Sequence, residues 1–153
     1  VFTKILVPLD GSDLAERALQ PAIDMARCFS AGLVLLRVVT TQLVGMSTFG
    51  PSEHLYHLSN AVTGHDAALA SEYLQGVRRQ RALAGISVDT AVLEGVPAET
   101  IIAVAYDKRA DLILMSTHGR TGLRRLIYGS VADAVLRASS VPVMLIPIRD
   151  VQE

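Results

Sequence analysis

Three glycines and a serine in the C-terminal third have the spacing of an anion cradle. Gly119, Gly122 and Gly129 follow a short apolar run, and Gly129-Ser130 opens a helical pattern. Glycine lets a backbone approach a ligand closely or adopt a positive φ. A helix N-terminus presents N–H groups without intrahelical acceptors and a partial positive charge, so it attracts phosphate. The dipole alone contributes only about 0.3–1 kcal/mol at an exposed site. Several N–H donors and the Ser130 hydroxyl must therefore act together. The same residues also suit a plain helix start, with Ser130 as the cap and Asp133 at the capping-box position. A cap side chain can rotate toward a ligand, so both roles can hold. Asp133 must point away from any phosphate bound there.

A second loop, Pro8-Leu9-Asp10-Gly11-Ser12, follows the first apolar run and has a suitable composition for a ligand. On spacing alone, Asp10 before Gly11 is equally a turn-forming residue. Catalytic machinery is not legible. A hydrolase needs a positioned base, a metal ligand set or an activated nucleophile. No glycine-rich loop ends in Gly-Lys-Ser/Thr, and no Gly-x-Ser-x-Gly elbow is present. His54, His57 and His65 suit no standard metal site by spacing, and a solvent-facing role is expected. At most slow hydrolysis of a bound polyphosphate is expected of this pattern. Cys28 is the single cysteine, so no intrachain disulfide can form. It sits in an apolar helical stretch and reads as a buried small hydrophobe. A lone thiol fits a reducing compartment.

The elements that must position these loops alternate along the chain. Ile5 to Leu9, Leu33 to Val39, Ile86 to Leu93, Leu112 to Met115 and Val143 to Ile146 read as strands. Arg37 interrupts the second. Between them lie helical patterns. The first carries Ala15, Ala18, Leu19, Ala22, Ile23 and Ala26, with Asp13 and Glu16 resembling a capping box and Pro21 predicting a bend. The second covers Ala61 to Ala84, with a buried stripe of Leu69, Tyr73 and Val77, ending at Gly85. Arg78, Arg79 and Arg81 form a solvated face of it. Pro97 starts the third helix, and Ser130 to Ala138 is the last. Thr40 to Ser59 is poorly patterned and is either a lid or a surface loop. Pro142 and Pro147 bracket the fifth strand and place it at a sheet edge.

Strands alternating with helices imply a parallel sheet covered on both faces, and right-handed crossovers leave only doubly wound layouts. In such sheets ligands bind beyond the carboxyl ends of the strands, where the order reverses. The 153 residues read as one domain, 1–153, large enough to need no staples. Lys plus Arg is 14 and Asp plus Glu is 15, a formal net charge of -1. That balance argues against nucleic-acid or anionic-membrane binding. No apolar run approaches the ~20 residues of a membrane span. No signal pattern is read at the start, so a cytoplasmic location is expected.

Several motifs together resemble the universal stress protein family. Lys4-Ile5-Leu6-Val7-Pro8-Leu9-Asp10-Gly11-Ser12 matches its opening strand and turn. Gly95-Val96-Pro97-Ala98-Glu99 matches the start of its third helix. Asp111-Leu112-Ile113-Leu114-Met115-Ser116-Thr117-His118-Gly119-Arg120 matches its fourth strand and loop, and Gly129-Ser130-Val131-Ala132 and Val141-Pro142-Val143 complete the order. The resemblance implies a five-stranded, doubly wound, Rossmann-like α/β fold of the adenine nucleotide alpha hydrolase type. It also implies an adenine nucleotide ligand, ATP first, with ADP or AMP as alternatives and Mg2+ held through the phosphates.

In the ATP-binding branch a Gly-x-x-Gly pair stands nine residues before Gly-Ser or Gly-Thr. Here Gly119 and Gly129-Ser130 keep that spacing, but Ser116 replaces the first glycine. A positive φ at that position would suit serine poorly. Residue by residue, Pro8 and Asp10 would line the nucleotide, with Asp10 contacting the base or ribose. The Val38 backbone would hold the adenine edge. Met115, Ser116 and Gly119 would line the ribose and first phosphates, and Gly129, Ser130 and Val131 the later ones. Arg120 and His118 either reach a phosphate or stay with solvent and backbone. The function implied is a nucleotide-binding stress-response regulator. The alternative is a nucleotide-free dimeric adaptor, with a homodimer formed through the last strand in either case.

Overall fold

The three central apolar runs become strands because their residues can be covered from both sides at once. In the computed structural model the described residues are 1–40, 53–117 and 129–147. The strands are β1 Lys4–Pro8, β2 Gly32–Val39, β3 Val88–Glu94, β4 Leu112–Ser116 and β5 Val143–Ile146. The helices are α1 Asp13–Glu16, α2 Leu19–Phe29, α3 Glu53–Arg78, α4 Pro97–Asp107 and α5 Ser130–Ala138, with a short 3-10 turn at Arg81–Leu83. All four strand pairings are parallel. The order across the sheet is β3-β2-β1-β4-β5. This is the expected doubly wound sheet, and β5 is an edge strand as the bracketing prolines predict.

Alternate residues feed two cores. Ile5, Val7, Leu9, Leu33, Leu35, Leu112 and Leu114 pack with Leu19, Ile23, Leu74 and Val77 under α1, α2 and α3. Leu6, Val34, Leu36, Ile113 and Met115 pack with Ile101, Val104, Ala132 and Val135 under α4 and α5. Burying a side chain such as Leu6 or Ile113, each with no exposed surface, stabilises the fold by about 1.5–3 kcal/mol before chain entropy is counted.

Several local expectations are corrected. The bend assigned to Pro21 is a break one turn upstream, dividing the first helix into α1 and α2. A proline ring collides with the carbonyl four residues earlier, here Arg17. The chain responds with a tight bond from the Ala18 amide to the Ala15 carbonyl at 3.1 Å, and α2 restarts with Ala22 N–H on the Ala18 carbonyl at 3.1 Å. The cap of α1 is Ser12, whose hydroxyl accepts from the Ala15 amide at 3.1 Å, and not the Asp13–Glu16 pair. On α3 the buried stripe is Ala70, Leu74 and Val77, beside half-buried Tyr73, whereas Leu69 is 50% exposed. Helix α3 begins at Glu53, inside the stretch taken as loop; residues 41–52 lie outside the described residues. Cys28 is exposed, not buried. At about 3.6 residues per turn it falls on the side opposite Leu19.

Asp111 fastens the start of β4 to the start of β1. Its Oδ2 accepts from the Thr3 amide and the Thr3 hydroxyl, both at 2.7 Å, and its Oδ1 from the Lys4 amide at 3.2 Å. Burial pushes this carboxyl up, but the bonds from Thr3 and Lys4 outweigh it and hold the group below the usual carboxylate range. A depressed folded value means stability that is present above the unfolded value and lost as pH falls through the folded one. We therefore predict that Asp111→Asn lowers stability in urea unfolding by about 1 kcal/mol at pH 7, given its solvent access. The gap between the two proteins should close as the pH is taken below about 4.

Candidate functional site

Strand order reverses between β1 and β4, because the chain leaves β1 toward β2 and leaves β4 toward β5. The carboxyl ends of these two strands therefore border the switch point of the sheet, where a crevice is expected. Pro8 closes β1 on one side of it, half-buried. Leu9 donates its amide to the Leu36 carbonyl at 2.8 Å, the last tie between β1 and β2. The chain then turns. Asp10 Oδ1 accepts from the Ser12 amide at 2.9 Å and the Ser12 hydroxyl at 2.5 Å. Gly11 sits at φ +81, a conformation that side chains resist. Asp10 is thus a turn-former in this structure, and its turn delivers Ser12 to cap α1.

Strand β2 outruns β1. Their register ends at Pro8 opposite Leu36, while β2 continues to Val39. Gly32 N–H reaches Thr3 and the Leu36 carbonyl takes Leu9, so even-numbered residues of β2 turn their backbone toward β1. By the same alternation the Val38 amide and carbonyl face the crevice side, beyond the last β1 pairing. The Val38 side chain packs into the core under α4 and α5.

On the other side, Met115 and Ser116 end β4 at 7% and 6% exposure, followed by Thr117 at 5%. Met115 belongs to the core under α4 and α5. Ser116 lies in extended strand, and the positive-φ non-glycine residues among those described are Ser30 and Arg109. The serine that replaces the first glycine of the motif therefore carries no backbone strain. Thr117 donates to the Ile146 carbonyl at 3.0 Å, and its own carbonyl accepts from the Gly129 amide. That second bond returns the chain to the end of β4 and sets the N-terminus of α5 there. Thr117 was not singled out from the sequence; its one cue is a polar residue directly after an apolar strand.

Helix α5 has Gly129 as its cap residue, at φ -63 and ψ 154, with no side-chain cap. The expected cap, Ser130, is instead the first helical residue and is exposed. Val131 is half-buried against the core. Asp133 is not in a capping box: its carboxylate accepts from Arg137 Nε at 2.9 Å, one turn further along the helix. A partner on that side draws the negative charge away from the helix start. Gly119, Arg120, His118 and Gly122 lie outside the described residues. Pro8, Asp10, Val38, Met115, Ser116, Gly129, Ser130 and Val131 all stand along the carboxyl edge of the sheet or on the first turn of α5. Among the described residues no helix is long and apolar enough to cross a membrane.

A family model, that of the universal stress proteins, matches residues 2–147. The curated relatives include Universal stress protein MJ0531 of Methanocaldococcus jannaschii, 35% identical over 147 residues, which span 95% of this chain and 82% of that one. Among solved structures, the hypothetical protein MJ0577 is 25% identical with a TM-score of 0.85, covering 97% of this chain and 98% of that one. A universal stress protein family protein from Arabidopsis thaliana, with AMP bound, shares the fold at 17% identity and a TM-score of 0.63, covering 96% of this chain and 92% of that one. A family model over nearly the whole chain and a relative above the level of chance likeness agree with the motifs and with the sheet order. The chain belongs to the universal stress protein family.

Proposed function

We propose that this protein binds an adenine nucleotide, ATP first, in the crevice between β1 and β4, and that it works as a stress-response regulator that reads the bound nucleotide. The observation that carries this reading is the bond from the Gly129 amide to the Thr117 carbonyl. It sets the uncapped start of α5 at the end of β4, where its first N–H groups can meet an anion. The pull of Arg137 on Asp133 supports the same reading, since it keeps a carboxylate off that corner. The AMP-bound Arabidopsis neighbour has the same fold; the choice of ligand here rests on this chain's own crevice.

In this reading the Val38 backbone holds the adenine edge and Asp10, beside Pro8, meets the base or ribose. Met115, Ser116 and Gly119 line the ribose and first phosphates. Gly129, Ser130 and Val131 hold the later phosphates, and Arg120 adds charge. Mg2+ would enter on the phosphate oxygens. The second reading is a nucleotide-free adaptor, and one observation favours it: the buried Ser116 hydroxymethyl stands where the ATP-binding motif has a glycine. We also propose a twofold dimer through β5, because among the described residues that strand ends the sheet and no further strand pairs with its outer edge.

Purified protein, denatured and resolved by chromatography, should release adenine nucleotide or, if stripped, should bind ATP in a calorimetric titration. A chain that does neither is the adaptor. Gly129→Val should weaken ATP binding by at least about tenfold while leaving thermal unfolding nearly unchanged, because valine tolerates the extended φ and ψ found there. Unaltered affinity would move the phosphates elsewhere. Sedimentation at micromolar concentration should give a dimer, and a monomer would refute the β5 interface.

A further inference from the structure

Arg37 is a half-buried charge inside an otherwise apolar strand, and a guanidinium drawn partly out of water is costly unless its surroundings answer it. Leu33 and Leu35 face the layer of α1, α2 and α3, so the alternation sends Arg37 to that side as well. There its guanidinium lies against Gly11: Cζ and Nη1 are 3.8 Å, and Nη2 3.9 Å, from where a Cβ on Gly11 would stand. The flat group covers the face that glycine leaves open at φ +81.

A second support reaches the same turn from α3. The Tyr73 hydroxyl donates to Glu16 Oε1 at 2.8 Å. Burial, then Glu16, then the charge of Asp10 push the Tyr73 hydroxyl above its ordinary range, while Arg37 acts to lower it. Glu16, Asp10 and Arg37 therefore all lie within electrostatic reach of the Tyr73 hydroxyl. Glu16 is the last residue of α1, which has four residues. A helix that short does not hold itself, since one turn fixes several dihedrals for very few hydrogen bonds. Tyr73 ties it to α3, which has 26 residues. At its other end α1 is capped by Ser12, whose amide and hydroxyl both donate to Asp10. The line of support runs from α3 through Tyr73, Glu16, α1 and Ser12 to Asp10, with Arg37 seated under the glycine between.

We infer that Arg37, Glu16 and Tyr73 are positioning residues for Asp10, holding its turn in the one orientation that aims the carboxylate at a nucleotide. This rests on the crevice being the nucleotide site. Asp10 Oδ1 accepts from the Ser12 amide and hydroxyl, so the heading of the carboxylate follows the orientation of the whole turn. None of the three positioning side chains needs to touch the ligand.

The test is a double-mutant cycle read as ATP affinity by calorimetry, with thermal unfolding of every variant measured alongside. Tyr73→Phe removes only the hydroxyl. Arg37→Lys keeps the charge but loses the flat contact with Gly11. In the wild-type background each should weaken ATP binding by about fivefold, roughly one hydrogen bond. In an Asp10→Ala background the same changes should alter affinity by less than about twofold, because residues acting through one group are not additive. Equal losses in both backgrounds would mean general loosening of the domain and would overturn the inference. So would variants that bind ATP as tightly as wild type. A wild-type chain that binds no ATP would remove the nucleotide site itself, a separate and earlier failure.

Discussion

Everything at the crevice depends on β1 being the central strand. Its five residues, three of them fully buried, pair in parallel with β2 on one side, and Ile5 and Leu6 pair with β4 on the other. A parallel pair cannot be joined by a tight turn, so each neighbour is reached by a long crossover. The two crossovers leave on opposite sides of β1. The gap between the ends of β1 and β4 follows from that connectivity and not from any particular side chain. Side chains then determine what the gap can hold.

Two devices bring loops to the gap, and both are local. On the β4 side a backbone bond between Gly129 and Thr117 spans eleven undescribed residues and sets the start of α5. On the β1 side an aspartate turn sets the start of α1, and α1 is too short to stand without α3. The rigid part of the molecule is thus the sheet with its two cores. The proposed nucleotide site sits on segments fastened to it by a few named bonds. Loops that carry function on a rigid scaffold commonly have this division.

The strands and the last helix were legible in the sequence because their signals are strong and local. Val143 to Ile146 and Ser130 to Ala138 have the bounds their patterns predict. Most of the misreadings concern which side of an element faces inward, or which residue caps it. Cys28 and Leu69 sit among apolar neighbours, yet a shift of one residue around a helix turns a side chain from core to solvent. Asp13 and Ser130 were credited as cap residues, but Ser12 and Gly129 occupy the cap positions. The break before α2 lies upstream of Pro21 because the clash falls on the carbonyl four residues earlier. Arg37 was noticed only as an interruption, since its contact with Gly11 crosses from β2 to the turn after β1.

The sequence by itself determined the fold class, the order of elements, the family and the two loops rich in glycine and small polar residues. Those follow from periodicity, turn chemistry and motif order, all of which act over a few residues. Only the tertiary structure decided which loops share an edge, which way the Val38 backbone faces and whether Ser116 is strained. It alone shows that Glu16 bonds Tyr73 and that Asp10 and Arg37 lie within reach of the same hydroxyl. Those facts depend on strand order and register, which arise from contacts between residues far apart in the chain, and no short window of sequence contains them.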